Sequence, residues 1–389
     1  MIDAAEANRL GTSALRSGDA RAAAAHFEAA CRADPGAAEL RVNLAAARRL
    51  LGDEAGERDA LEAALAIDRR NLMALIRLAQ WHERRGEAGL AARHWTAVLS
   101  LAAAIDQPTP EFAALLAHAR TAVEKQRHGL AERLDAALAE GLHAASPCDR
   151  RRVRAAADAL LGRRQIFANE CHGLHYPFLP ADEFFDREHF PWLGELEAAT
   201  AEIRAELETI LAERDPGLAP YVEQPPGVPD NKWTLLDRSL DWGALHLWRD
   251  GERYAEACAR APRTAALVES LPLCRIPGRA PAVFFSILKA GARIPPHTGV
   301  TNVRAIAHLG LIVPEDCTFR VGGETRAWRE GEAFVFDDTI EHEAINPTGH
   351  DRAVLILDVW NPHLSEAERA MICRIYEVTA SDQAPMRAD

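Results

Sequence analysis

The chain has 389 residues, of which 48% are hydrophobic and 26% are charged. This length favours two domains, and this composition is typical of proteins with ordinary cores rather than of disordered chains. The net charge of −13 argues against non-specific nucleic-acid binding, which needs a basic surface that displaces counterions, and it disfavours binding to an anionic membrane.

Targeting signals and metal-binding cysteines are not evident. The first residues show no basic segment followed by an apolar core, so no secretory signal is predicted. No run of about 18 apolar residues occurs, so no transmembrane helix is predicted. Seven cysteines without a C-x-x-C pair favour reduced thiols in a cytoplasmic protein over a zinc finger or a disulfide scaffold. They are Cys31, Cys148, Cys171, Cys258, Cys274, Cys317 and Cys373.

Three glycines divide the first part of the chain at a constant interval. Gly18, Gly52 and Gly86 are 34 residues apart, and each lies in a short polar turn such as Ser17-Gly18-Asp19. This is the period of tetratricopeptide repeats, each of which is a pair of helices. The alternative is a generic alanine-rich helical bundle, which does not require such constant phasing. We therefore predict three tetratricopeptide repeats.

Small and bulky residues recur at matching positions of these repeats. The small residues allow paired helices to approach closely, and the bulky ones fill the matching position of the second helix. They are Ala23, Ala30, Ala64 and Ala91, and Phe27, Leu61 and Trp95. A three-repeat solenoid needs a cap, and apolar residues at helical spacing predict capping helices over residues 110–145.

Domain boundaries follow from these patterns. We predict a helical repeat domain over residues 1–145 and a linker over residues 146–175. Within the linker, residues 147–152 form the predicted joint and residues 153–161 a short helix. The second domain is predicted over residues 176–389.

The second domain has the pattern of a β barrel. A long amphipathic helix is predicted over residues 186–213. Beyond residue 230, β-branched or aromatic runs alternate with Gly/Pro turns, which predicts strands at residues 282–288, 304–313, 318–321, 332–336 and 353–359. With the metal motif described next, this favours a double-stranded β-helix, the cupin-like jelly roll. The predicted fold class is therefore multidomain α + β, a tetratricopeptide solenoid followed by a double-stranded β-helix with flanking helices.

Two histidines and an arginine carry the chemistry. His297 lies in the sequence Pro-Pro-His-Thr-Gly, and His342 follows 45 residues later. Both stand at the edge of a β-rich run, so they can converge on one metal. Arg352, ten residues further on, can anchor a dicarboxylic acid beside it. This is the pattern of an Fe(II)/2-oxoglutarate oxygenase, except that such sites normally add a carboxylate, and its position holds Gly299.

The region resembles the aspartyl/asparaginyl β-hydroxylase family, whose members are known for a two-histidine iron site with glycine in place of the acid. The resemblance runs in order through residues 175–375. It rests on Ser286, Pro296, His297, Thr298, Gly299, Thr301, Asn302, Arg304, His308, Leu309, Gly310, Leu311, Phe336, Asp337, Asp338, Glu341, His342, Glu343, Arg352, Asp358, Val359 and Trp360.

The resemblance implies roles for five residues. His297 and His342 would hold Fe(II), with 2-oxoglutarate and O2 as co-substrates and water in the place of the acid. Arg352 would bind the C5 carboxylate of 2-oxoglutarate in a bidentate pair. Ser286 would help to bind the same carboxylate. His308 would be a further contact to 2-oxoglutarate rather than a third metal ligand.

Two further positions leave alternatives open. Trp242 matches a family tryptophan that lines the co-substrate pocket, but plain core packing would explain it equally well. Ile306 stands where the animal enzymes carry an arginine, two residues after Arg304. That departure puts the binding of the co-substrate and substrate carboxylates in question.

Four carboxylates lie close in sequence to the second histidine. Glu341 and Glu343 alternate with it on a predicted strand, so they should point to the opposite face. Asp337 and Asp338 lie in the preceding turn and should hold that turn or the outer nitrogen of a histidine. Gly299 is expected to leave space beside the metal.

Three functions are compatible with these patterns. The favoured one is hydroxylation of the β-carbon of Asp or Asn in a protein or peptide that the repeats recruit, with no nucleic-acid or membrane partner. The second is 2-oxoglutarate-dependent hydroxylation of a lipid acyl chain, as in related bacterial membrane enzymes, or of a small molecule. The third is a non-catalytic scaffold, against which the complete set of site residues argues.

Overall fold

The computed structural model describes residues 3–380 and consists of two compact units. The first, here called the helical unit, ends at Val153, and the second, the β unit, begins at Arg154. Helical repeats followed by antiparallel sheets are the predicted fold class, which is confirmed. The predicted boundaries at residues 145 and 175 stay predictions.

The helical unit is a succession of helices in which sequence neighbours pack together. Their bounds are α1 (Ala4–Arg16), α2 (Ala20–Ala33), α3 (Ala38–Leu50), α4 (Glu54–Ile67), α5 (Leu72–Arg84), α6 (Ala88–Ala102), α7 (Pro110–Ala144) and α8 (Pro147–Leu160), the last of which extends into the β unit.

The phased glycines form the turn inside each helix pair. Gly18, Gly52 and Gly86 have φ values of 85°, 73° and 72°, a left-handed conformation that a Cβ atom would strain. In the first two turns the next residue, Asp19 or Asp53, accepts a hydrogen bond from the backbone N–H three residues later, which caps the following helix. The tetratricopeptide phasing is therefore confirmed.

The seven predicted packing residues all lie in the interior of the helical unit, where each is at most 2% exposed. Close approach extends to Gly11 in α1, because a Cβ atom there would lie 2.6 Å from the ring of Phe27. Small residues on one helix thus make room for a bulky residue on its partner.

One helix prediction in this region was wrong. The cap is one helix of 35 residues, α7, rather than several, because the interior glycines of residues 110–144 are tolerated in a helix at modest cost. The predicted joint over residues 147–152 lies just before the boundary of the two units at Val153, and it is helical, since α8 begins at Pro147. The hydroxyl of Ser146 accepts a hydrogen bond from Asp149 N at 3.1 Å, which caps α8.

The β unit contains helices, a 3₁₀ turn (Arg187–His189) and two sheets. The helices are α9 (Leu193–Ala198), α10 (Thr200–Leu211), α11 (Ala255–Arg260), α12 (Pro262–Ser270) and α13 (Glu366–Ala380). The strands are β1 (Ala219–Pro220), β2 (Trp242–Arg249), β3 (Glu252–Arg253), β4 (Val283–Leu288), β5 (Arg293–His297), β6 (Arg304–Ile312), β7 (Thr318–Val321), β8 (Glu324–Ala327), β9 (Ala333–Phe336), β10 (His342–Ile345) and β11 (Arg352–Trp360).

The two sheets are antiparallel and have the layered arrangement of a jelly roll. The larger, seven-stranded sheet has the order β1-β2-β4-β11-β6-β9, with β3 paired to β2. The smaller, four-stranded sheet has the order β5-β10-β7-β8. The five predicted strands correspond to β4, β6, β7, β9 and β11, each within one residue at either end.

Alternation along the large sheet separates two cores. Leu355 and Leu357 of β11 pack with residues of α9 to α12. Val354 and Ile356, on the opposite face, pack with residues of the small sheet. Because side chains alternate along a strand, Arg352 shares the second face. That face, between the two sheets, is where the predicted site residues meet.

One helix prediction in the β unit was also wrong. The predicted helix over residues 186–213 is broken at Ala199, which separates α9 from α10 and has a ψ of 4°. Its apolar residues are nevertheless buried against the large sheet, which agrees with the predicted amphipathic pattern. They are Leu196, Ile203, Leu207 and Ile210.

Candidate active site

The two predicted metal ligands meet between neighbouring strands. His297 ends β5, His342 begins β10, and the two residues are directly paired in the sheet. Their ring centroids are 4.0 Å apart. The Nδ1 atoms lie 2.8 Å from Pro295 O and 3.0 Å from Ile340 O, respectively. A carbonyl only accepts, so each Nδ1 carries the proton and each Nε2 keeps a lone pair.

Both imidazoles are neutral at physiological pH. Burial lowers the pKa of His297 from 6.5 to about 4. Burial, followed by the proximity of His297, lowers the pKa of His342 well below its ordinary value. Two neutral imidazoles with adjacent free Nε2 atoms are ligands that suit a divalent transition metal.

No carboxylate completes a three-ligand set. Within residues 3–380, no group of three or more His, Cys, Asp or Glu side chains could hold a metal ion. Arg320 binds both Glu341 and Glu343, at 2.8 and 2.6 Å, and so keeps them away from the histidines. This is the opposite-face arrangement that strand alternation predicts.

The two turn aspartates differ in role. Asp337 accepts hydrogen bonds from the backbone and hydroxyl of Thr339 and from Asn169 Nδ2, so it holds the turn, as predicted. Burial nevertheless raises its pKa to about 6. The outer nitrogens of the histidines are bound by backbone carbonyls, so the alternative of an aspartate partner was wrong.

Asp338 corrects the expectation about Gly299. A Cβ atom on Gly299 would lie 2.1 Å from Asp338 Oδ2, so the space that glycine leaves is filled by this carboxylate. The backbone N–H of Gly299 also donates to Asp338 O at 2.6 Å. Asp338 Oδ1 is buried without a hydrogen-bond partner, and burial raises the pKa of Asp338 to about 7. The sequence contained the glycine and the aspartate, but not their contact.

A cation without a counterion lies at the other end of the site. Arg352 is 1% exposed, and its guanidinium lies 4.6 Å above the ring of Trp328. Its Nη1 donates to Ser286 O at 3.4 Å, and its Nε has no partner. No ion pair within residues 3–380 includes Arg352. Burial lowers its pKa from 12.5 to about 10, the expected effect on an unpaired buried cation.

Three further predicted residues lie around this arginine or its neighbours. Ser286 Oγ accepts a hydrogen bond from Trp242 Nε1 at 3.1 Å, so the hydroxyl proton is available to an acceptor. His308 Nδ1 accepts from Trp328 Nε1 at 3.3 Å. An indole N–H only donates, so Nε2 carries the histidine proton. Burial, followed by the charge of Arg352, keeps the pKa of His308 well below 6.5.

Sequence reasoning missed several residues that line this site. Trp328 supports both His308 and Arg352, but it lies outside the strands, where no local pattern indicated it. Trp233 packs edge-on against His297, with centroids 5.0 Å apart. Tyr221 stacks on Trp242 at 3.9 Å. The available signal was the presence of three aromatic residues, Tyr221, Trp233 and Trp242, in the segment before β4.

The structure shows what surrounds Ile306, which stands where the animal enzymes carry an arginine. Ile306 lies on the inter-sheet face of β6, paired with Phe336 and Asp358 of the flanking strands. Arg304, two residues earlier, forms a 3.0 Å ion pair with Asp358, so its charge is already compensated. The wall at position 306 is therefore apolar.

The residues fit both groups that the sequence implies. The adjacent neutral histidines have free Nε2 atoms for a metal. The buried, uncompensated guanidinium of Arg352, with the donors of Ser286 and His308 available, fits the carboxylate of an organic acid. Neither conclusion requires a third protein ligand.

Comparisons with known proteins agree with this geometry. The sequence model of the aspartyl/asparaginyl beta-hydroxylase family matches residues 197–362. The Homo sapiens aspartyl/asparaginyl beta-hydroxylase is 38% identical over 158 residues, 40% of this chain and 20% of that protein. The Rhizobium tropici ornithine lipid ester-linked acyl 2-hydroxylase is 34% identical over 203 residues, 51% of this chain and 67% of that protein.

Solved structures similar to this chain contain helical repeats. The Yersinia enterocolitica secretion chaperone SycD, in complex with a peptide of the translocator YopD, is 20% identical, with a TM-score of 0.28, covering 31% of this chain and 88% of that chain. The first tetratricopeptide domain of Spaghetti is 20% identical, with a TM-score of 0.28, covering 33% of this chain and 99% of that chain.

The extent of the sequence matches settles the family. The chain spans only about a fifth of the length of the human and mouse hydroxylases that it matches, 20% and 17%. The lipid hydroxylase is matched over two thirds of its length at 34% identity, and the family model covers the strands that bear the histidine pair. The chain belongs to the aspartyl/asparaginyl β-hydroxylase family.

Proposed function

We propose that this protein is an Fe(II)- and 2-oxoglutarate-dependent dioxygenase that hydroxylates the β-carbon of Asp or Asn residues in a polypeptide substrate. The observation that carries the proposal is the buried guanidinium of Arg352, which has no counterion among residues 3–380. A fold does not keep such a group without reason, because an unpaired buried charge is strongly destabilising. An acidic co-substrate supplies the missing partner.

His297 and His342 would hold the metal. When bound, Fe(II) with O2 supplies the oxidising power that converts 2-oxoglutarate to succinate and CO2 and places one oxygen atom on the substrate carbon. The protein positions these histidines by fixing both rings through their Nδ1 protons. Such outer hydrogen bonds fix the tautomer and the ring orientation of metal ligands.

Three residues would bind 2-oxoglutarate. Arg352 would pair with its C5 carboxylate, and the hydroxyl of Ser286 would donate to the same group. His308 would donate from Nε2, the nitrogen that carries the proton. Its lowered pKa keeps it neutral, so the positive charge beside the co-substrate comes from Arg352 alone.

The substrate class is supported by the family and by the repeats. The human and mouse relatives are named aspartyl/asparaginyl hydroxylases, and a helical repeat solenoid offers an extended surface for a polypeptide. Seven cysteines without disulfides support a reducing, cytoplasmic setting.

A second candidate is hydroxylation of a lipid acyl chain. It is favoured by the Rhizobium relative, which is named as an acyl 2-hydroxylase, and by the apolar wall at Ile306 in the inter-sheet core. No helix among the described residues is long and apolar enough to cross a membrane. A third candidate, a non-catalytic scaffold, gives no reason for a buried cation such as Arg352.

One experiment separates these candidates. The purified protein is incubated with Fe(II), ascorbate and 2-oxoglutarate, first with Asp- or Asn-containing peptides and then with ornithine lipid or free fatty acids. Mass spectrometry detects the gain of one oxygen atom, and succinate is measured in parallel. Oxygen on a peptide supports the proposal, and oxygen on a lipid alone supports the second candidate. The absence of both oxygen transfer and succinate, with iron bound, would favour the scaffold.

A further inference from the structure

The helical unit contains an open groove of about 930 Å3 between α3, α5 and the start of α7. α3 and α5 are the first helices of the second and third repeats, and α7 is the capping helix. Residues from all three helices and from the segment before α7 line the groove. It therefore lies entirely within the helical unit, where Leu72, Ile76, Phe112 and Leu115 join its floor to the hydrophobic core.

The wall of the groove is largely apolar. Ile76 is buried at the wall, whereas Leu50, Met73 and Ile105 are 66%, 49% and 40% exposed. Large apolar side chains that converge on one concavity while exposed to water are typical of a protein interaction site. A bulky apolar side chain of a partner would remove this surface from water.

The charges in the groove have one sign. Its lining includes Arg49 and Arg77 but no aspartate or glutamate, although the whole chain has a net charge of −13. No ion pair within residues 3–380 includes either arginine. Arg77 Nη1 bonds only a backbone carbonyl, Val42 O, at 2.9 Å.

The positive charge of Arg77 is not balanced by a neighbouring carboxylate. Burial, followed by the charge of Arg49, lowers the pKa of Arg77. Glu57 acts in the opposite direction, but its two oxygens accept hydrogen bonds from Arg84 at 2.8 and 2.7 Å. The half-buried guanidinium of Arg77 therefore lacks a nearby carboxylate of its own.

We infer that this groove binds an acidic segment of the polypeptide substrate, with a bulky aliphatic side chain against Leu50, Met73 and Ile76 and flanking carboxylates on Arg49 and Arg77. This inference rests on the proposed function for the identity of the polypeptide as the hydroxylation substrate. The apolar wall of the groove requires an aliphatic side chain in the bound segment, and its two arginines require carboxylates beside that side chain.

The binding test uses the full chain and defined peptides. A fluorescein-labelled peptide with a Glu-Leu-Glu-Glu-Leu core in a Gly/Ser context is compared with versions in which Gln or Lys replaces Glu, or Ser replaces Leu. Fluorescence anisotropy needs neither iron nor turnover. We expect the Gln version to bind about fivefold more weakly, since partly exposed charge pairs contribute modestly. The Ser version should bind about tenfold more weakly, because aliphatic burial is lost.

Charge reversal gives a readout that a structural role for the arginines would not produce. Arg49→Glu should weaken the binding of the Glu peptide and strengthen the binding of the Lys peptide. The matched control is Arg58→Glu on α4, an exposed arginine that bonds Asp59 and does not line the groove. It should leave the order of the peptides unchanged.

Any one of three results would overturn the inference. Arg49→Glu and Arg58→Glu could change peptide binding equally, the replacement of Leu by Ser could leave binding unchanged, or the Glu peptide could bind with a Kd above about 1 mM.

A kinetic experiment extends the Glu peptide with an Asp-containing segment. Arg49→Glu should raise KM by the same factor as Kd and leave kcat unchanged. Hydroxylation with an unchanged KM would refute recruitment. Absence of hydroxylation would count against the proposed function, while anisotropy still decides whether the groove binds the peptide.

Discussion

Replacing Arg352 with methionine should stabilise the ligand-free protein. Burial lowers the pKa of this arginine from 12.5 to about 10, and one pKa unit is about 1.4 kcal/mol, so the charged form destabilises the native state by about 3 kcal/mol. The stacking on Trp328 and the long bond to Ser286 O offset about 1–2 kcal/mol of that. Methionine has similar length and no charge. We therefore expect a net gain of about 1–2 kcal/mol, or a rise in Tm of roughly 3–6 °C for a unit of this size.

The same substitution should remove co-substrate binding. The C5 carboxylate of 2-oxoglutarate would then be buried without a cation, and breaking a buried pair typically costs about 3–5 kcal/mol. The Kd of 2-oxoglutarate should rise by a factor of about 10² to 4 × 10³. The same residue would thus contribute to binding at the expense of stability.

The assay measures Tm with and without 2-oxoglutarate, with Mn(II) as a redox-inert metal, and Kd by calorimetry. Wild-type protein should be stabilised by 2-oxoglutarate, and Arg352→Met should not. The control is Arg320→Met, which loses the ion pairs with Glu341 and Glu343 and should lower Tm while keeping the response to 2-oxoglutarate. A Tm of ligand-free Arg352→Met below that of the wild type would refute the claim that the charge of Arg352 destabilises the fold. An unchanged Kd for 2-oxoglutarate would refute the claim that Arg352 binds its carboxylate.

Other predictions follow from the same site. His342→Ala should abolish retention of metal, measured by elemental analysis after desalting, because one imidazole remains, whereas the exposed control His350→Ala should retain it. Gly299→Ala should destabilise by about 1–3 kcal/mol through overpacking against Asp338, and this increment should vanish in an Asp338→Ala background if the contact is the cause. The lowered pKa of His308 means that it gains no proton as pH falls from 8 to 6, so its charge should not change KM for 2-oxoglutarate over that range. A KM that falls severalfold near pH 6.5, and does so only while His308 is present, would contradict this assignment.

Local patterns were enough to predict most of the helical unit and five of the eleven strands among the described residues. The three phased glycines require a left-handed backbone, and that requirement leaves a direct trace in the sequence. The run of β-branched and apolar residues similarly predicted a strand at residues 353–359, directly after Arg352. Both features depend on residues within a few positions of one another, where sequence spacing is a reliable guide to geometry.

Contacts between distant segments could not be predicted in the same way. Asp338 fills the space beside Gly299 through a crossing of two loops, and Trp328 meets Arg352 across the two sheets. Asn169, in the predicted linker, bonds Asp337. Each contact joins residues far apart in the chain, and no local periodicity encodes it.

Three of the five buried side-chain polar atoms that lack a hydrogen-bond partner in the described part of the β unit border the inter-sheet core. Arg304 Nε, Asp338 Oδ1 and Arg352 Nε are buried without partners, and their parent strands or turn border the inter-sheet core. Arg304 and Asp338 carry opposite charges, and each shifts the pKa of the other. The charges at that end of the site therefore partly balance each other. Arg352 has no such partner. A core optimised for stability alone would hold an apolar side chain there, and under the proposed function the acidic co-substrate would supply the missing anion. The ligand should then stabilise the β unit as well as react in it.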